Sequence, residues 1–525
     1  MRAKPNSSAG GGLAAYTLLP LLVALSFALF FPAASGQFVS DDINAIAHNH
    51  DVVGPLNLRH IFSHASWWGS ERADSPGYRP LSTASFALNH ALLGNNTVAF
   101  HSVNFLLHGL VSWLVFVLAL ALRLSRRAAV AAALSFCLLP IHTEAVAWIV
   151  GRAELLAAAA FSGSLILILG YREHGRISSL VAAVAVFVDG LLAKENVVTL
   201  LAAPLLLAGL MAPGPGSWSR KRDGITLAAL LGGLALYLGL RFLAGALEPA
   251  ASGDLLDNPL SLLSLPGRIA AATAVLGRYL WLSIWPHPLS ADYSYNALGI
   301  TPGFVADRYS AVALVVTAAL GWLAWQQRRT TPAVTFSILL AAASYSIVSN
   351  TIVLIGTVMG ERLFYLPTLG LCLAGGVGLD RALGRFGRRA SLVIAAVAVV
   401  WVVVIVRQSA VWATPIALFE HSVAAQPQSA RARMELATAY GQAGHTSAAL
   451  EQFRAAATIM PEYAAAWYNL GNLYARQQRL ADASDAYRHA LAHSPKFTQA
   501  WFNLGLALQL QGQLSEAESS FARAV

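Results

Sequence analysis

Two adjacent carboxylates, Asp41 and Asp42, close the stretch Phe38-Val-Ser-Asp-Asp42, just after the first apolar run of the chain. On an extended backbone, neighbouring side chains point to opposite sides, so one of the pair can take a proton while the other orients a neighbour. A solvated loop start or a helix cap is the plainer reading of the same residues. Further acids and bases recur in short clusters: His142-Thr-Glu144, Arg152-Ala-Glu154, Lys194-Glu195-Asn196, Asp292-Tyr293-Ser-Tyr295 and Gly360-Glu361-Arg362. Arg152, Lys194, Arg278 and Arg362 are candidate anchors for an anionic headgroup. A guanidinium offers phosphate two parallel hydrogen bonds, and an ammonium acts as a point charge. Ordinary salt bridging competes with that reading, because Glu154, Glu195 and Glu361 lie beside these cations. His48, His50, Asp51, His60 and His64 crowd one segment, but their spacing matches no compact ligand set, and packing or surface histidines are the expectation. Cys137 and Cys372 sit in apolar stretches with no Cys-x-x-Cys, so neither a disulfide framework nor a redox or metal motif is expected.

The elements that must position these groups are membrane spans. Of 525 residues, 56% are hydrophobic and 12% charged, against about 25% charged in soluble domains. The apolar runs fall near 13–34, 100–122, 128–147, 153–170, 177–193, 196–212, 225–245, 310–327, 333–356, 363–379 and 390–406, about eleven spans of an all-α bundle. The first run, after Arg2 and Lys4, is read as an uncleaved span, and Asp189 falls inside a later one. The net charge of +9 lies in short clusters between runs, which excludes a nucleic-acid surface and reads as a topology signal. Arg2 and Lys4, Arg123 to Arg127, Arg172 and Arg176, Arg220 to Arg222, Arg328 and Arg329, and Arg381 to Arg389 mark alternate connections; the others carry only isolated Arg152, Lys194 and Arg362. The N-terminus is therefore expected in the cytoplasm and the C-terminus outside. Residues 268–289, apolar but holding Arg268, Arg278, Pro286 and Pro288, would invert every later loop as a full crossing. They are expected to form a re-entrant or interfacial helix lining a cavity on the outer side. With that topology the acid–base clusters collect on one face, and such a one-sided collection at span ends suggests a site. The long first outer loop, 38–99, with Asn57, Trp67, Trp68, Tyr78 and Arg79-Pro80-Leu81, is expected to fold as a subdomain.

The expected domains are a membrane part over 1–407, a linker over 408–427 and repeats over 428–525. Pro427, Pro461 and Pro495 are 34 apart, as are Leu436, Leu470 and Leu504, and Ala449, Ala483 and Ala517. Trp467-Tyr-Asn-Leu-Gly-Asn-Leu-Tyr474 matches W-x-x-L-G-x-x-Y, and Trp501 to Leu508 repeats it with Leu for the Tyr. This is the tetratricopeptide period, and three repeats just suffice to stack a core. No polar capping helix follows, so either another surface covers the last repeat or the array is part of a longer one. Such an array binds an extended peptide or protein segment; it is not a catalyst.

FVSDD, YRPLSTASFALNHALLG, HSVNFLLHGLVSWLVF, HTEAVAWIVGRAELLA, AKEN, GRYLWLSIWPHPLSADYSY and GERLFYLPTLG, in this order and followed by the repeats, resemble the transmembrane and tetratricopeptide-repeat O-mannosyltransferases. The resemblance covers the whole chain, and its motifs are specific in combination. It implies the multi-span fold of C-type glycosyltransferases and a lipid-phosphate-linked sugar donor. It also implies transfer of a sugar, mannose in eukaryotic members, to Ser or Thr of acceptor proteins on the extracytoplasmic side. The acidic motif of the first outer loop would hold the base, Asp41 or Asp42. His142, Glu144, Arg152, Glu154, Lys194, Glu195, Arg278, Asp292, Tyr293, Glu361 and Arg362 would form the donor and substrate site. No metal and no cofactor is expected. The partners would be the lipid-linked donor, membrane lipid and an acceptor held by the repeats. The Gly- and Ala-rich composition reads as bacterial, which would place the protein in an inner membrane with an undecaprenyl carrier. Three rivals compete: a membrane-anchored repeat scaffold without activity, a transporter or flippase, and a ligase acting on a glycan or lipid. An anchor has no need of one-sided acid–base clusters, and a transporter would show matched broken spans.

Overall fold

The computed structural model describes residues 9–66, 77–211, 218–246, 255–300 and 303–525; Trp67 and Trp68 lie outside them. Every regular element among the described residues is a helix, and no strand is among them. Seven helices are long and apolar enough to cross a membrane: Thr17–Ala34, Thr97–Ala121, Ile149–His174, Ser219–Leu243, Arg308–Gln327, Glu361–Phe386 and Arg388–Val411. The pair Arg126–Cys137 and Pro140–Ala147, bent by 50°, and the shorter apolar helices Ile177–Ala193, Glu195–Leu210 and Pro332–Ser346 complete the series. Together they follow the apolar runs in order, and the protein is a multi-pass membrane protein.

Three expected runs take a different form. The run 128–147 breaks where Pro140 removes a backbone donor and its ring meets the preceding turn. The run 196–212 opens as the tighter 3-10 helix Glu195–Leu201 before continuing as Ala202–Leu210. The run 333–356 ends as a helix at Ser346. Beyond it Asn350 adopts a left-handed conformation, φ 58°. Its carboxamide receives a hydrogen bond from Asn258 at 2.9 Å and from the Ile355 amide at 2.9 Å, and donates to Thr357 O at 3.0 Å. These bonds fix an irregular segment where a longer helix was expected. The ambiguous stretch is one continuous helix, Leu265–Ile284, without the break of a re-entrant loop. Arg268 near its start donates to Thr351 O at 3.3 Å, and Tyr279 in its second half donates to Gly360 O at 2.9 Å. Both parts therefore reach the single segment that follows Pro332–Ser346.

Three helix pairs form the repeats: Ala430–Gln442 with Thr446–Ile459, Ala464–Arg476 with Leu480–His493, and Thr498–Leu510 with Leu514–Arg523. The repeated residues explain the period. Gly471 and Gly505 leave room for the rings of Tyr487 and Phe521, which would meet an added Cβ at 2.6 and 2.8 Å. Trp467 and Trp501 each donate an indole N–H at 2.8 Å to the carbonyl of the proline six residues earlier. The expected linker is helical over Pro415–Ala425 and packs on the first repeat, with the Tyr440 hydroxyl donating to Glu420 at 2.6 Å. The first repeat also docks on the membrane part. Arg431 pairs with Asp257, the Ser429 hydroxyl donates to Asp292, and Leu256, Ala430 and Met460 are buried together.

Candidate active site

A cavity of about 810 Å³ opens between the membrane part and the first repeat. Asp41, Trp148, Asp292, Tyr293, Arg362 and Trp412 line it from the membrane part, and Arg431, Glu435, Thr438 and Gln442 line it from the repeat.

The two carboxylates part ways here. Ser40, at φ 53°, turns the chain into the short π-helix Ile43–Ala47, so the pair sits in a turn and not on extended backbone. Asp41 is half-buried and lines the cavity. Asp42 is fully buried, and its two oxygens accept the amides of Val39 at 3.2 Å and Val150 at 3.0 Å. It thereby ties the first loop to the segment after Trp148. Burial pushes its carboxyl up to about 8 against the two amide hydrogen bonds.

The candidate cations also separate. Arg362 lines the cavity with its guanidinium 4.8 Å over the Trp148 ring, held from behind by Glu144. That carboxylate pairs with the guanidinium and accepts the Arg362 amide at 2.8 Å. Asp41 and Glu154 also lie within electrostatic reach of Arg362. Next to it Glu361 accepts the Tyr293 hydroxyl at 2.5 Å and the Ser290 amide at 2.7 Å, which sets the Asp292-Tyr293 loop against the cavity. Lys194 pairs with Glu154, whose other oxygen accepts Asn196 at 3.1 Å, and Glu195 pairs with Arg79 at 2.7 Å. Neither pair lines the cavity, and Lys194 and Glu154 lie within electrostatic reach of Arg362.

Arg152, Arg278 and His142 lie elsewhere. Arg152 is fully buried and gives its donors to Asn104 at 3.0 Å, Asn89 at 3.1 Å and the Phe100 carbonyl at 2.9 Å, with Phe86 4.6 Å from its guanidinium. Asn104 in turn donates to Trp148 O at 3.0 Å, so Arg152 braces the cavity wall at one remove. Arg278 pairs with Asp307 at 2.8 Å and covers Tyr309 at 4.4 Å. His142 is buried between Phe136 O at 3.0 Å and the Thr368 hydroxyl at 2.7 Å.

Several cavity residues carried no signal in the sequence. Trp148 and Trp412 stack with ring centroids 5.8 Å apart, and neither indole N–H has a hydrogen-bond partner among the described residues. Their separation of over 260 positions hides the pairing. Glu435 and Thr438 belong to the repeat but differ from Asn469 and Asn472, which stand 34 positions on. Thr438 and Gln442 also line a second groove with Asn469, Asn472 and Arg476, and Asn472 and Arg476 line a third with Asn503. Successive grooves on the repeats thus share lining residues, Thr438 and Gln442 with the cavity and Asn472 and Arg476 with each other.

A family model described as "Tetratricopeptide repeat" matches residues 434–496 and 468–525. The protein O-mannosyl-transferase Tmtc1 of Drosophila melanogaster is 28% identical over 455 residues, covering 68% of this chain and 51% of that protein. Protein O-mannosyl-transferase TMTC1 of Homo sapiens is 27% identical over 86% of this chain and 56% of its own length. The chain is similar to protein O-mannosyl-transferases over most of its length. Protein O-mannosyl-transferase TMTC2 of Mus musculus is 32% identical over 305 residues, 52% of this chain and 35% of that protein. The chain spans about half the length of the curated protein O-mannosyl-transferases it matches. Among solved structures, the archaeal oligosaccharyltransferase AglB from Archaeoglobus fulgidus aligns with 78% of this chain and 56% of its own at 11% identity and a TM-score of 0.39. At that score the fold rests on the helices described above and not on the likeness.

Proposed function

We propose that the protein is a membrane glycosyltransferase. It moves a sugar, mannose first among candidates, from a polyprenyl-phosphate carrier to Ser or Thr hydroxyls of acceptor proteins on the extracytoplasmic side. The observation that carries this reading is that Asp41 and Arg362 line one cavity whose far wall is the first repeat. Asp41 accepts the acceptor hydroxyl proton as that oxygen attacks the anomeric carbon. The bond from that carbon to the phosphate oxygen breaks, and the lipid phosphate leaves with the electron pair. Arg362, fixed by Glu144, stabilises the charge that develops on the phosphate. The stacked rings of Trp148 and Trp412 give the same wall an aromatic surface. Asp42 positions Asp41 without touching substrate.

The repeats hold the acceptor. This part of the reading is supported by the adjoining groove that shares Thr438 and Gln442 with the cavity and extends the lining to Asn472 and Arg476. The charge asymmetry of the connections favours a cytoplasmic N-terminus, with cavity and repeats on the opposite side. Composition favours a bacterial inner membrane.

The test is transfer of radiolabelled mannose from polyprenyl-phosphate mannose to a Ser/Thr-rich protein by the purified chain in liposomes, with polyprenyl-phosphate glucose in parallel. Label on the acceptor that is released by β-elimination supports the proposal. Retention of partners by the repeats with no transfer from either donor points to a scaffold.

A further inference from the structure

Asp51, His60 and His64 come together in the first loop, outside the cavity lining, from two short turns of helix, His50–Val53 and Leu58–Ile61, and the segment that follows. Asn49 shapes the first turn by accepting the Asp51 amide at 3.0 Å, and its side chain donates to Ser66 O at 2.9 Å, which draws the second turn over the first. Asp51 is buried. His60 Nδ1 stands 2.7 Å from one of its oxygens and His64 Nε2 stands 2.8 Å from the other, with the two rings 4.0 Å apart. All three ligand atoms lie within 4.8 Å of one another. Ligands of a tetrahedral zinc, at bond lengths of about 2.0–2.2 Å, stand roughly 3.3–3.5 Å apart. Small side-chain rotations bring this set to that spacing around one ion.

Ser63 closes the second turn beside the two rings, its hydroxyl donating to His60 O at 2.8 Å.

We propose that Asp51, His60 and His64 bind one divalent transition-metal ion of the zinc class, with water completing the shell. The ion closes the two turns of the first loop onto each other and steadies the loop that begins at Asp41. It is a structural site and takes no part in sugar transfer, so it stands whether or not the enzymatic reading does.

The experiment uses the full chain purified in detergent without a polyhistidine tag, stripped with chelator and then titrated with Zn²⁺ and, separately, Co²⁺. The expected result is one equivalent of zinc per chain retained through gel filtration, a visible Co²⁺ ligand-field band, and a thermal midpoint that rises on adding zinc. The variant H60A/H64A loses the retained zinc and the band, while H174A, at an exposed histidine elsewhere, keeps both. Wild-type protein that retains no zinc and shows no Co²⁺ band overturns the proposal, leaving a hydrogen-bonded histidine–aspartate cluster. So does equal retention by H60A/H64A and wild type.

Discussion

Glu144 accepts the backbone amide of Arg362 at 2.8 Å and also pairs with its guanidinium, although the two residues are 218 positions apart in the chain. One carboxylate therefore fixes both the backbone and the side chain of the cation that lines the cavity. Glu144→Gln keeps an acceptor for the amide but removes the charge. Transfer by E144Q should fall about 10-fold, about 1.4 kcal/mol of transition-state stabilisation. Arg362→Ala, which removes the cation that lines the cavity, should cost at least about 10²-fold in kcat. Steady-state kinetics with varied donor separate the two effects, and R362K should recover part of the loss.

Asp42 makes stability depend on pH. Its folded-state carboxyl is raised to about 8 from the ordinary 3.8, so the folded protein holds a proton that the unfolded chain gives up. The associated stability is fully present below about pH 4 and is lost as the pH rises to about 8. Thermal midpoints measured across that window should fall in the wild type more steeply than in Asp42→Asn, which cannot ionise. Parallel curves for the two proteins would contradict this.

Docking of the first repeat rests in part on the half-exposed pair Arg431–Asp257. R431E sets a carboxylate against Asp257 and Asp292, so it should lower the melting temperature by more than loss of an exposed pair, worth about 0–1 kcal/mol, would. It should raise KM for a protein acceptor while leaving KM for the donor alone. The reversed pair R431E/D257R should restore the acceptor KM.

The adjoining grooves on the repeats make a length-dependent prediction. Asn469→Ala combined with Arg476→Ala alters the groove beyond the cavity. Transfer to a long unfolded protein should weaken several-fold, whereas a short Ser/Thr peptide that fills only the cavity should be used as before. Competition between the two acceptors measures this directly.

The apolar runs were legible because a membrane helix needs little beyond about 20 apolar residues. The repeats were legible because Trp467, Gly471 and Tyr487, and their counterparts 34 residues on, make the same contacts in successive pairs. What hydropathy did not reveal is where a run stops being helix. Pro140 is visible as a breaker, but Ser346 ends its helix because Asn350 pairs with Asn258, 92 positions away. The site divides in the same manner. Asp41, Asp292, Tyr293 and Arg362 line the cavity as a one-sided site would, whereas Arg152 and Arg278 are spent on internal partners. Sequence shows a cation but not the carbonyls and carboxamides that occupy it, and Asn104 and Asn89 are remote from Arg152 in the chain. The burial of Asp42 beside a cavity-lining Asp41 rests on two backbone amides, at Val39 and Val150, that no side-chain pattern reports.

The most direct measurement compares sugar transfer by wild type, Asp41→Asn and Asp42→Asn in liposomes, with folding of each verified by gel filtration and melting temperature. With Asp41 as the base, D41N should lose at least about 10²-fold in kcat at unchanged stability, and D42N should keep most activity at temperatures where it remains folded. Full activity in D41N with loss in a folded D42N would contradict that assignment.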